Sequence, residues 1–210
     1  VEITPAIGQI DIFQKTGQKK LPVLFDKETT IHDSSAIIRH LERIEIEPKL
    51  IPEGLKEASQ AQIIENWADT TLAKSIKIVF LEEIVKNPIL ISYLLTKEMS
   101  DSMQKILLNF PLKIASQISG LINQSEKESL KLNLENLTNL IEKENFLIGK
   151  KLSIADISVA SQLSLLNFPK SSGENLLGKG CSMYINDPSL KKLFKWRDSI
   201  EIQLTTINHH

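Results

Sequence analysis

Residues 20–41, KLPVLFDKETTIHDSSAIIRHL, leave this chain few local folds to choose from. Leu21-Pro22-Val23-Leu24-Phe25 is a short apolar run, and Thr29-Thr30-Ile31-His32 is a second run rich in β-branched residues, which suit a pleated surface. Between them Asp26-Lys27-Glu28 is a polar bridge of hairpin length. Asp33, Ser34 and Ser35 then offer N-cap side chains, and Ala36, Ile37, Ile38 and Leu41 follow at helical spacing. The stretch predicts strand, turn, strand and capped helix. Pro22 stands at the start of its strand, where a missing N–H is tolerated and where a cis Leu21-Pro22 bond is expected.

Piece by piece this is an ordinary hairpin and helix. In order, Xaa-Pro-Val-Leu, a turn and acidic-Ser-Xaa-Ala-Ile resemble the second half of the thioredoxin-type glutathione-binding domain of the soluble glutathione S-transferases. A second stretch, Phe146-Leu147-Ile148-Gly149-Lys150-Lys151-Leu152-Ser153-Ile154-Ala155-Asp156-Ile157, carries the Gly-x-x-x-Ser-x-Ala-Asp pattern found in the helical domain of that family. Ser153 and Asp156 have the spacing of a capping box, with Asp in place of Glu. Their implied role is structural, capping a core helix, and Asp156 is not a candidate catalyst.

The expected architecture is α/β plus α: an incomplete thioredoxin-like N-terminal domain over residues 1–45, a linker over 46–54 and an all-helical C-terminal domain over 55–210. Two prolines, a glycine and alternating charge in EIEPKLIPEG mark the boundary. Leu55 to Leu81 forms one long helical run, with Ile63, Ile64, Trp67, Leu72, Ile76 and Val79 or Phe80 among its apolar positions. Pro88 interrupts the pattern. Ser100 to Asn123 is a second run, kinked or broken at Pro111, and Glu126 to Asn145 is a third, with Leu130, Leu134, Leu137 and Leu140 or Ile141 on one face. Ile154, Ile157, Ala160, Leu163 and Leu166 or Asn167 mark a buried helix after Ser153.

The resemblance also assigns residues. The main chain of Leu21, before Pro22, would pair with the cysteinyl backbone of glutathione as an added strand. Asp33 and Ser34 match the family's Glu/Gln-Ser pair. Asp33 would hold the γ-glutamyl ammonium, and Ser34 with the free N–H groups of the helix start would hold the carboxylate. Lys20 stands where a polar side chain reaches the glycyl end. In the family the Tyr, Ser or Cys that activates the thiol belongs to a first strand and helix. Val1-Glu2-Ile3-Thr4, an edge-strand pattern ended by Pro5, and the turn at Gly8 to Gln14 match the second strand and helix. The activating residue is therefore expected upstream of Val1, in a longer natural chain, and Tyr93, Tyr184 and Cys181 do not match its position. Glutathione is implied as substrate, with a small electrophile as co-substrate and a second copy of the chain as homodimer partner. Two alternatives share the fold: a non-catalytic binding or assembly protein, and a glutathione-dependent thiol reductase.

Composition narrows the partners. A net charge of −1 and a pI of about 6.5 give no electrostatic footprint for nucleic acid or an anionic membrane. No apolar run approaches the roughly 20 residues of a membrane span. Cys181 is the single cysteine and closes no internal disulfide, so a cytoplasmic location is expected. Gly173-Glu-Asn-Leu-Leu-Gly178-Lys179-Gly180 nearly spells a P-loop, but Gly180 replaces the magnesium-binding Ser or Thr, which leaves a surface loop. His32 and His40 lack partners at ligand spacing, and His209-His210 reads as a tail, so no metal site is expected. Cys181 reads as a passive thiol.

Overall fold

Backbone pairing between the two short apolar runs produces the hairpin. The computed structural model describes residues 22–44, 47–87, 89–94, 124–142 and 144–207. Strand β1 (Val23–Asp26) pairs antiparallel with β2 (Thr29–His32) in the register Val23↔His32, Leu24↔Ile31, Phe25↔Thr30 and Asp26↔Thr29. Asp26 thus belongs to the strand rather than to the turn, and Lys27 and Glu28 alone reverse the chain, Lys27 at φ 53. Helix α1 (Ser34–Arg43) follows at once and packs on both strands. It has no fully buried residue, so this first unit rests on half-buried contacts among its described residues. The expected strand at Val1–Thr4, Lys20, Leu21 and the Leu21–Pro22 bond lie outside the described residues. The cis peptide bond among the described residues is Glu47–Pro48.

The chain divides into two compact units, one ending at Ile51 and the other beginning at Pro52. The second opens with α2 (Leu55–Trp67), a π-helical turn (Ala68–Leu72) and α3 (Ala73–Lys86), without a break in helical backbone. Leu72, Ile76, Val79 and Phe80 are buried as their spacing predicts. Ile63 is not: it is 68% exposed, and Leu55 is 88% exposed. The inward face of α2 is taken instead by Ala61 and Glu65, continued by Ala68 of the π-turn. Ile63 stands about 200° round the helix from both Ala61 and Glu65, at about 100° per residue. Helix α3 is closed by Asn87, whose φ of −131° and ψ of 76° leave the helical region.

The remaining helices are α4 (Ile89–Leu94), α5 (Gln124–Leu140), α6 (Ile154–Leu163), α7 (Ser182–Ile185) and α8 (Lys191–Ile207), with single 3-10 turns at Lys170–Ser172 and Pro188–Leu190. The expected helix over Ser100 to Asn123 lies outside the described residues. On α5 the leucine stripe is realised by Leu130, Leu134 and Leu137, while Leu140 is exposed and Ile141 packs on the core edge. Helix α6 is central: it packs against α2, the π-turn, α3 and α8. Its Ala155, Val159, Ala160 and Leu163 are buried, whereas Ile157 is half-buried. After α6 the chain loops out through the glycine-rich segment, mostly exposed and irregular, and returns in a bridge between Asn167 and Gly180. Among the described residues no helix is long and apolar enough to cross a membrane.

Candidate functional site

The N-terminus of α1 is built by Asp33 and Ser34. Asp33 has φ 75° and ψ 132°, outside the regions an L-residue favours. Such a conformation costs about 1–3 kcal/mol, and residues that keep it cluster at ligand clamps. The side chain offsets part of that cost as the N-cap: Oδ1 accepts from the amides of Ser35 at 3.0 Å and Ala36 at 3.3 Å. Cap and ligand holder are therefore compatible roles. Oδ1 serves the helix, and Oδ2 carries no hydrogen bond among the described residues. Ser34 is half-buried, and no described residue hydrogen-bonds its hydroxyl. Its amide is the first of the helix, pointing out of the positive end of the helix dipole. The structure thus brings Asp33 and Ser34 together with an open carboxylate oxygen, hydroxyl and amide. Pro22 is exposed at the entry to β1.

Two histidines near α1 carry no signal in the sequence. His40, on the last turn of α1, meets Asp26 of β1 with Nε2 2.8 Å from Oδ2, both half-buried. The pair pins the helix to the hairpin whose last residue precedes Asp33. His32 keeps Nδ1 buried without a hydrogen-bond partner among the described residues. The His40–Asp26 contact follows no helical or strand period, so only the folded hairpin reveals it.

In the helical unit, the Ser153–Asp156 pair forms as expected. Asp156 is fully buried and accepts from the Leu147 amide at 2.7 Å, the Ser153 amide at 2.9 Å and the Ser153 hydroxyl at 2.7 Å. Burial outweighs these donors and holds its carboxyl above the usual range. Cys181 is buried, and desolvation with the charges of Glu83 and Glu82 pushes its thiol up to about 12. Such a thiol stays protonated and unreactive. Tyr184 is buried with its hydroxyl unpartnered among the described residues and its pKa raised, chiefly by desolvation. No group of three His, Cys, Asp or Glu side chains poised for a metal exists among the described residues. A cavity of about 380 Å³ lies beside the π-turn, with Thr70, Thr71, Lys74, Ser75, Ile78 and Lys127 in its wall. That volume and mixed lining suit a small molecule.

Residues 1–49 match the family model described as the glutathione S-transferase N-terminal domain. FtsZ-localized protein A of Caulobacter vibrioides (strain NA1000 / CB15N) is 24% identical over 151 residues, covering 70% of this chain. The chain spans only 56% of that relative's length. Among solved structures, a glutathione S-transferase of Rhodospirillum rubrum F11 aligns with a TM-score of 0.52 and 20% identity over 88% of this chain and 74% of the other. The β-etherase LigF of Sphingobium sp. strain SYK-6 aligns with a TM-score of 0.50 and 18% identity over 89% and 83%. At these identities the structures speak to the fold, and they share the arrangement seen here of a small N-terminal sheet followed by a helical domain. Residues 1–49 thus match a glutathione S-transferase N-terminal domain, and the chain as a whole shares the fold of solved glutathione S-transferase-like structures.

Proposed function

We propose that the protein binds glutathione at the N-terminus of α1 and conjugates it to small electrophiles. The observation that carries this reading is the end of α1: a strained Asp33 with one carboxylate oxygen to spare, beside a Ser34 hydroxyl, neither with a partner among the described residues. Asp33 Oδ2 accepts from the γ-glutamyl ammonium. The Ser34 hydroxyl and amide donate to the γ-glutamyl carboxylate, which the helix dipole favours. The main chain of Leu21 pairs with the cysteinyl backbone, and Lys20 meets the glycyl carboxylate. A thiol of pKa about 8.5 must be stabilised as thiolate before it attacks an electrophile at neutral pH. Cys181 and Tyr184 are unsuited to that task, being buried with raised pKa values. A cytoplasmic homodimer is part of the same proposal.

A second reading is favoured by the similarity to a protein whose name records localisation with FtsZ. Here the fold serves as a binding or assembly module without catalysis. Retention on immobilised glutathione, followed by a conjugation assay on the retained protein, separates the two. Retention with turnover fits the first reading; neither retention nor turnover fits the second. Under the first, Asp33→Ala weakens glutathione binding by about 1.5–3 kcal/mol, the value of a hydrogen bond to a charged group. Unchanged affinity in a folded Asp33→Ala protein reduces Asp33 to a helix cap.

A further inference from the structure

The sequence marks residues 46–54 as a linker, yet its middle is tied down. Glu42, on the last turn of α1, accepts the amides of two consecutive linker residues on one carboxylate oxygen: Leu50 at 2.6 Å and Ile51 at 3.3 Å. The ammonium of Lys49 donates to the main-chain carbonyl of Glu42 at 2.7 Å. The Glu47 carboxylate accepts from the Lys49 amide at 3.1 Å, closing the turn that brings the chain back to the helix. Three consecutive residues are thus held through Glu42 or Glu47, and the first compact unit extends to Ile51. Only Pro52, Glu53 and Gly54 stand between this tie and the start of α2 at Leu55. Pro52 fixes its own φ, which shortens the freely turning stretch further.

We propose that Glu42 is a latch that sets the length of the tether between the two units. Closed, the latch leaves three residues to turn, a reach of at most about 10 Å at roughly 3.3–3.6 Å per residue. Open, the whole of 46–54 turns, and the reach grows about threefold. A carboxylate suits this role because a charge-assisted bond to two amides is stronger than a neutral one, while a single side-chain rotation releases both together. The latch is a conformational device on the same helix that presents Ser34 at its other end, and it stands whether or not glutathione binds there.

The test uses trypsin and hydrogen exchange on the whole protein. Cleavage after Lys49 requires its side chain to enter the protease pocket and the Leu50 backbone to extend, and the latch forbids both. Glu42→Ala is expected to raise cleavage at Lys49 at least tenfold and to speed exchange of the Leu50 and Ile51 amides at least tenfold. The β1 and β2 amides keep their protection. Glu42→Gln retains a carbonyl acceptor and recovers part of the protection. Lys49→Gln removes only the ammonium contact, and Leu50 and Ile51 stay protected in the exchange experiment. Equal cleavage and exchange in Glu42→Ala and the wild type would overturn the latch. So would acceleration of the hairpin amides in step with Leu50 and Ile51, which would make Glu42 a general stabiliser of the unit.

Discussion

Asp156 illustrates how a single carboxylate can be both structural and costly. It satisfies three donors around the start of α6, so Asp156→Ala strands the Leu147 and Ser153 amides in a buried site. The expected loss is about 3 kcal/mol in urea unfolding. Its pH dependence has a definite sign. Burial raises the folded carboxyl above 3.8, so the folded state keeps a proton at a pH where the unfolded chain has released it. The contribution of Asp156 is greatest below 3.8 and declines as pH rises through the window between 3.8 and the raised value. Asp156→Asn has no such titration, so the stability gap between wild type and variant narrows as pH climbs through that window; a gap that widens would contradict the burial argument. Both members of this cap were legible in the sequence because a capping box is a local pattern with fixed spacing. Asp33 was legible as a cap for the same reason. Its strained backbone was not, since φ at one residue is set by how the hairpin delivers the chain to the helix.

Elements whose contacts are local were read correctly, and those set by tertiary packing were not. The hairpin and α1 follow from alternation, a polar turn and a cap, and only the assignment of Asp26 shifted by one position. On α2 the period alone could not choose between faces: small Ala61, and Ala68 of the π-turn after it, fill the inward side, leaving Ile63 outside. The π-turn at Ala68–Leu72 left no mark either, because ADTTL has no residue that demands a wider turn. The Asn167–Gly180 bridge shows a glycine required by close approach. Gly180 has φ 140°, and a Cβ there would lie 2.3 Å from the Leu166 carbonyl oxygen. Gly178 has φ 71° with open space around the same position. Gly180→Ala should therefore cost clearly more than Gly178→Ala: about 2 kcal/mol or more from clash and strain, against about 1 kcal/mol from the left-handed backbone alone. Thermal melts of the two variants check the order, and equal losses would show that the loop relaxes away from Leu166.

At the scale of the whole molecule, the two units differ in how they are held. The helical unit surrounds α6 with a continuous core that includes Leu72, Ile76, Leu134, Val159, Leu163 and Leu193. Among the described residues up to Ile51, none is fully buried. Native-state hydrogen exchange should accordingly show fast opening of β1, β2 and α1 and slow exchange in α6, with protection factors differing by orders of magnitude. Matching protection in both units would mean that they open as one. The resemblance to glutathione S-transferases was legible because the two stretches that carry it, acidic-Ser before α1 and Gly-x-x-x-Ser-x-Ala-Asp before α6, are short and local. The central claim is that glutathione is held at the start of α1. Nitrogen-labelled protein titrated with glutathione tests it most directly by amide chemical shifts. The account predicts saturable shifts centred on Ser34 and Ser35, lost in Ser34→Ala combined with Asp33→Ala. Saturating glutathione that leaves these amides unmoved would contradict it.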